Sequence, residues 1–192
     1  MLLKLSKCKF YLLFHIFLFI CFALHKPFFH LCRYVKNNGA PPQRIVFYRD
    51  GVGEGQVEQV RTQEVDVIRE LLGSLNVMKF TFLIITKRIN TRFYKINPDR
   101  QIVNPPSGSI FDDVVTLPER YDFFVVSQSV RQGTANPTSY NVIEDNSGWN
   151  PTHLQQLTYK LSHLYYNWPG IVSLNLYENV VLFYEKSLRF FF

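Results

Sequence analysis

The first 40 residues of this chain contain no aspartate and no glutamate, although six lysines and arginines occur there. Residues 41–192 carry 15 basic and 15 acidic residues and sum to zero. The formal net charge of +6 and the pI near 9.2 therefore come from the amino-terminal segment alone. This imbalance gives no support to a globally basic nucleic-acid-binding surface, so any phosphate contact must come from a local cluster of cations.

Cysteine is scarce, and the three residues of this type are Cys8, Cys21 and Cys32. Their odd number and the absence of a CxxC pair argue against a disulfide framework and against a zinc site. We interpret them as buried, unreactive thiols.

One long apolar run is present, at residues 10–24, and it follows Lys4, Lys7 and Lys9. Its 15 residues fall short of the ~20 that a membrane-spanning helix needs. The run resembles the hydrophobic region of a signal peptide, yet no small-x-small cleavage site follows it. Two interpretations stay open: translated non-coding or variant-transcript sequence, and a signal that makes the protein secreted or membrane-tethered.

The remaining pattern alternates strands with helices. Apolar and β-branched runs predict strands at 44–49, 80–85, 121–127 and 140–143. Polar and proline-rich residues predict a loop at 97–108. Helical periodicity predicts one helix over 56–72 and another that begins after Asn150 with Pro151 in its first turn. Such a mixture indicates a single α/β domain with three layers.

The segment RIVFYRDGVGEGQ, at 44–56, is the most informative motif. Its strand delivers Asp50 into a glycine-rich turn. Carboxylates at strand ends often hold metal ions in folds that cut nucleic acids, because the rigid strand fixes the ligand while the turn leaves room for a phosphate. The alternative is an ordinary β-hairpin turn, which also has a strand followed by Asp-Gly.

Part of this motif, FYRDGVGEGQ, resembles the segment of Argonaute/Piwi proteins that carries the second catalytic aspartate of their Piwi domain. Three further motifs follow in family order: KRINTRFY (87–94), DFFVVSQSVRQGTANPTSYNV (122–142) and LTYKLSHLYYNWPG (157–170). SQSVRQGT and LTYKLSHLYYNWPG resemble the Piwi clade. The chain is identified as a member of this family, which implies an RNase H-like α/β fold, a mixed sheet flanked by helices.

The resemblance implies a partial Piwi domain at 23–170, because full-length Piwi proteins are several times longer. Residues 1–22 are then an apolar leader outside the family, and residues 171–192 a divergent tail. Since the first strands and the final helix of the family fold have no counterpart here, we expect unpaired apolar sheet edges that favour aggregation.

The resemblance also implies a metal-dependent RNA endonuclease, which uses two divalent ions, usually Mg²⁺. Its ligands are two aspartates, a glutamate and a histidine, and only the second aspartate has a counterpart, Asp50. No acidic residue precedes it in residues 1–49, and no histidine follows His163. We therefore expect Asp50 to be a catalytic and metal-binding remnant that neither holds Mg²⁺ stably nor supports cleavage. Alternatives are a piece of an active guide-directed endonuclease and a non-functional truncated product.

Two segments are candidates for RNA binding. Composition alone favours a solvated charged loop for the cationic stretch at 87–100, but the resemblance implies that Lys87, Arg88 and Arg92 approach the backbone of a guide strand. It likewise implies a contributory contact from the loop that contains Gln132 and Thr134. The implied partners are a small guide RNA of the piRNA type and its target RNA. No DNA specificity is evident, and we do not expect association with a membrane.

The implied role is thus RNA binding in small-RNA gene silencing, in the cytoplasm, in perinuclear granules or in the nucleus.

Overall fold

The computed structural model describes residues 31–74, 77, 79–116, 120–164, 171, 180–184 and 188–191. The predicted leader at 1–22 and the aromatic residues Tyr165, Tyr166 and Trp168 lie outside the described residues. Residues 31–38 are helical.

A seven-stranded mixed sheet forms the centre of the fold, in the order β5-β6-β7-β2-β1-β8-β9. A separate two-stranded hairpin consists of β3 and β4. The strands are β1 (Arg44–Asp50), β2 (Phe80–Thr86), β3 (Lys95–Ile96), β4 (Ile102–Val103), β5 (Ser109–Phe111), β6 (Tyr121–Val126), β7 (Thr138–Asp145), β8 (Val180–Tyr184) and β9 (Leu188–Phe191).

The predicted helix over 56–72 is confirmed, with a local irregularity that the periodicity did not reveal. It comprises α1 (Val57–Val60), a π-helical turn (Arg61–Val65) and α2 (Asp66–Ser74). The wider turn places Val65 in the core beside Val60 and Ile68, which are also buried.

This first helical layer covers one face of the sheet. Alternate residues of the two central strands point to it, because successive side chains in a strand face opposite sides. Ile45 and Phe47 of β1 therefore pack with Phe82 and Ile84 of β2 against α1 and α2, in one continuous apolar cluster.

The second face is covered by α3 (Pro151–Leu161). Its predicted start is confirmed, since the Asn150 side chain accepts a hydrogen bond from the Thr152 amide at 3.0 Å. The buried stripe of α3, Leu154, Leu157 and Leu161, packs against the other set of alternate residues in β1, β2, β6 and β7. Helices on both faces of a mixed sheet confirm the predicted three-layer α/β class.

One expectation is wrong, because the predicted loop at 97–108 contains β4, which pairs with β3. The sheet continues beyond β1, because β8 pairs with β1 in antiparallel register, and its outer strands are β5 and β9. Strands β8 and β9 belong to the tail at 171–192, whose sequence gave no reason to expect pairing with β1.

Strand direction decides where the loops meet. Strands β1 and β2 are parallel, β7 is antiparallel to β2, and β6 is antiparallel to β7. The carboxyl ends of β1, β2 and β6 therefore lie at the same edge as the amino end of β7. We call this the carboxyl edge, and it is formed by Asp50, Thr86, Val126 and Thr138.

Candidate functional site

Asp50 is the last residue of β1 and stands at the carboxyl edge. Its Oδ1 atom accepts a hydrogen bond from the Gly51 amide at 2.8 Å. Gly51 has φ +79, a left-handed conformation that glycine adopts at little cost. The turn thus begins at once after the carboxylate and leaves 27% of the side chain exposed.

Lys87 lies directly beside Asp50, and its Nζ atom is 2.6 Å from the Asp50 Oδ2 atom. The register explains this proximity, because Asp50 pairs with Ile85 of β2 and Lys87 follows two residues later. Period-two alternation then sends both side chains to the same face. The sequence predicts a metal site at Asp50 and RNA binding at Lys87, whereas the fold joins the two side chains in one ion pair.

The described residues near Asp50 do not fit a two-metal centre. Holding two dications beside a phosphate needs several convergent anionic or imidazole ligands. Within the described ranges, no group of three or more histidine, cysteine, aspartate or glutamate residues is positioned to hold a metal ion. The charged side chain that approaches Asp50 is an ammonium, and the carboxylate of Glu64 pairs with Arg49 at 3.1 Å.

Two fully buried tyrosines lie beneath this ion pair. The Tyr48 hydroxyl is 2.9 Å from the Thr158 Oγ1 atom of α3. Tyr140 pairs with Ile85, which also pairs with Asp50, so Tyr140 and Asp50 occupy one row across three strands. Burial raises the pKa of the Tyr140 hydroxyl, and Tyr48 and the Asp50 carboxylate raise that pKa further. Two buried, neutral phenols therefore lie under the partly exposed ion pair.

The predicted RNA-binding cations follow β2 along the carboxyl edge. Arg88 and Arg92 are exposed, whereas Lys87 is half-buried. The Arg92 guanidinium donates to the backbone carbonyls of Ile89 and Thr91, each at 2.7 Å. Across the described part of the chain, the ion pairs within 4.0 Å do not include Arg88 or Arg92.

Phe93 anchors this cationic segment. Its ring stacks on Phe111 of β5 with centroids 3.9 Å apart and meets Phe124 of β6 edge-on at 5.5 Å. Ala135, from the loop before β7, is buried in the same cluster. A single apolar contact region thus holds both predicted RNA-binding segments against the sheet.

The second predicted segment contains Gln132, which is exposed, and Thr134, which is half-buried. Asn104, which no sequence motif indicated as a functional residue, holds this loop in place. Its Nδ2 atom donates to the Gly133 carbonyl at 2.8 Å, and its Oδ1 atom accepts from the Ala135 amide at 3.1 Å. The only sequence signal for this role is the position of Asn104 before two prolines, which is typical of a loop.

An open groove separates the two segments, with a cavity volume of ≈ 470 Å³. Tyr94, Pro105, Ser129 and Thr134 are among its lining residues. The Tyr94 side chain is 53% exposed, and its hydroxyl lies 3.4 Å from the Thr134 Oγ1 atom. The groove therefore offers hydroxyl groups and one exposed aromatic ring beside the cations.

The described residues also include two histidines and one cysteine. His153 and His163 are exposed on and just after α3, and the His163 ring packs edge-on against Tyr159 at 4.7 Å. Cys32 is half-buried, and burial raises the pKa of its thiol. Cys8 and Cys21 lie outside the described residues. No helix in the described part of the chain has the length and apolar character needed to cross a membrane.

Comparison with known proteins gives one consistent result. The Piwi domain family model matches residues 29–177. Piwi-like protein Siwi from Bombyx mori is 52% identical over 138 residues, which cover 70% of this chain and 15% of Siwi. Protein aubergine from Drosophila melanogaster is 47% identical over 146 residues, which cover 72% of this chain and 16% of aubergine.

Solved structures agree with these matches. The crystal structure of Drosophila Piwi is 43% identical and superposes with a TM-score of 0.69 over 80% of this chain and 22% of that one. The matched part of this chain therefore covers less than a quarter of each of these three relatives. The expected RNase H-like fold is confirmed, and the chain belongs to the Piwi domain family.

Proposed function

We propose that this chain binds single-stranded RNA through its carboxyl edge and acts in small-RNA silencing of the piRNA type. The observation that carries the proposal is that the fold gathers Lys87, Arg88, Arg92, Gln132 and Thr134 at one edge, although they lie in two separate segments. The Argonaute of Kluyveromyces polysporus, 27% identical with a TM-score of 0.64 over 74% of this chain and 19% of that one, was solved with a guide RNA.

Each group has a distinct part in this binding. The Arg88 and Arg92 guanidinium groups present paired donors that match phosphate oxygens. The exposed side chain of Gln132 and the hydroxyl of Thr134 reach a phosphate or a ribose at close range. Contacts to phosphate and sugar position a strand without reading its bases, so we expect little sequence preference.

In metal-dependent RNA cleavage, the reaction that the family resemblance implies, Mg²⁺ would neutralise charge on the phosphate and activate a water molecule. Asp50 is the residue of this chain proposed to correspond to one of its ligands. Because the described residues do not fit a two-metal centre, we propose binding without cleavage. The proposed Piwi-domain segment is residues 23–170, and residues 1–22 and 171–192 lie outside it. The proposed partners are a guide RNA and a target RNA. The proposed location is the cytoplasm, perinuclear granules or the nucleus.

Fluorescence anisotropy with a labelled single-stranded RNA tests the proposal. The variant with Lys87→Ala, Arg88→Ala and Arg92→Ala should bind at least tenfold more weakly, and its log–log salt slope should be shallower by roughly 0.7 for each lost phosphate contact. A matched control replaces three exposed cations elsewhere, Lys36, Arg61 and Lys79, by alanine. Circular dichroism confirms that both variants fold.

The two triple variants have the same net charge, so the comparison separates a site from general attraction. If the control weakens binding as much as the carboxyl-edge variant does, or if neither variant changes it, this proposed function is wrong.

A further inference from the structure

The ion pair between Asp50 and Lys87 joins a residue predicted to bind metal to a residue predicted to bind RNA. We propose that Asp50 competes with RNA phosphate for Lys87 and thereby sets the affinity of the carboxyl edge. This inference rests on the proposed function, and it gives Asp50 a positioning role that needs no metal ion.

The distance supports direct competition. A separation of 2.6 Å between Lys87 Nζ and Asp50 Oδ2 is that of a short, charge-assisted hydrogen bond. While the pair is formed, the negative charge of Asp50 offsets the positive charge of Lys87, so an approaching phosphate is attracted less strongly. A phosphate that takes the ammonium must draw it away from the carboxylate or accept a second anion close by, and either outcome weakens binding.

The surroundings leave Asp50 dependent on Lys87. Both side chains are 27% exposed, so solvent screens the pair without separating it. The Arg49 guanidinium, the next cation along β1, is engaged by Glu64 and by the Asp50 backbone carbonyl, at 3.1 Å and 2.8 Å. The remaining Asp50 oxygen accepts from the Gly51 amide. Among these described groups, Lys87 alone neutralises the carboxylate.

Lys87 is also placed to reach an external strand. It follows β2 by one residue and is continuous with Arg88, whose side chain is exposed at the same edge. Rotation of a flexible four-carbon stem can carry its ammonium from Asp50 toward a phosphate held by Arg88 or Arg92. The end of β2 therefore presents one cation, Lys87, for which the Asp50 carboxylate and an RNA phosphate can compete.

A double-mutant cycle tests this competition, with RNA anisotropy across a salt series as the measurement. Asp50→Asn keeps the shape and the oxygen that accepts from the Gly51 amide but removes the charge. It should tighten binding roughly two- to fivefold and steepen the salt slope by about 0.7, because Lys87 gains one phosphate contact. In the Lys87→Met background, the same substitution should change affinity by less than half as much and leave the slope unchanged.

Glu70→Gln, at an exposed position of α2, is the matched control for the loss of one negative charge. Equal effects of Asp50→Asn in both backgrounds, or an effect no larger than that of Glu70→Gln, would overturn the inference. Those results would leave the proposed function intact if the carboxyl-edge triple variant still lost affinity. Absence of RNA binding by the unmodified chain would instead refute the proposed function itself.

Discussion

Asn104→Ala should loosen the loop that contains Gln132 and Thr134. The substitution removes the bond to the Gly133 carbonyl and the bond from the Ala135 amide. A protein hydrogen bond contributes about 0.5–1.5 kcal/mol net, and partial exposure places these two toward the lower end. We therefore expect the free energy of unfolding to fall by about 1.5 kcal/mol for the pair.

Urea denaturation measures this loss. With a slope near 2 kcal/mol/M, the midpoint should fall by roughly 0.7 M. Limited trypsin digestion reports on the loop itself, because Arg131 is exposed and immediately precedes Gln132. Faster cleavage after Arg131, together with weaker RNA binding, is the expected result, since a loop that opens more often is cut more often and holds a ligand less well.

Asn104→Asp separates the two bonds, because it keeps an oxygen for the Ala135 amide and loses the donor to Gly133. Because its second carboxylate oxygen faces the Gly133 carbonyl, which is also an acceptor, it should retain at most half of the stability that Asn104→Ala loses. If Asn104→Ala unfolds at the same urea concentration as the unmodified chain and its loop is cut at the same rate, Asn104 does not organise the loop.

Two further predictions concern catalysis and alkaline stability. With Mg²⁺, a guide RNA and a complementary target, gel electrophoresis should show no cleavage; guide-directed cleavage that Asp50→Ala abolishes would show that this chain does form a working metal centre. Burial, followed by the charges of Asp112 and Asp145, raises the pKa of Tyr121 to about 12. Because this pKa is above the unfolded value near 10, the folded state holds the proton more tightly, and the free energy of unfolding should fall between about pH 10 and pH 12. Tyr121→Phe should flatten that decline in denaturant titrations, and an unchanged slope would refute the assignment.

Several elements follow from local rules and were therefore predictable. The end of β1 at Asp50 and the start of α3 after Asn150 depend on a glycine turn and on a side-chain cap, which are contacts between near neighbours in sequence. The apolar runs of β1 and β2 are buried on both faces, which is why they read as continuous rather than alternating.

Other features depend on contacts between distant residues. Neither a propensity nor a period predicts that β8 pairs with β1, that Asn104 holds the Gly133 carbonyl, or that Phe93 stacks on Phe111. The π-helical turn at Arg61–Val65 also differs from the regular helix that the apolar spacing indicated.

The amino-acid sequence alone determined the family, the alternation of strands and helices, and the identity of the charged and hydroxyl groups available for RNA. The tertiary structure decided which of those groups meet. Parallel pairing of β1 with β2 set Asp50 beside Lys87, and antiparallel β7 brought the Thr134 loop to the same edge. The physical reason is that strand direction and register are fixed by backbone pairing and burial across the whole sheet, whereas sequence patterns report only neighbours along the chain.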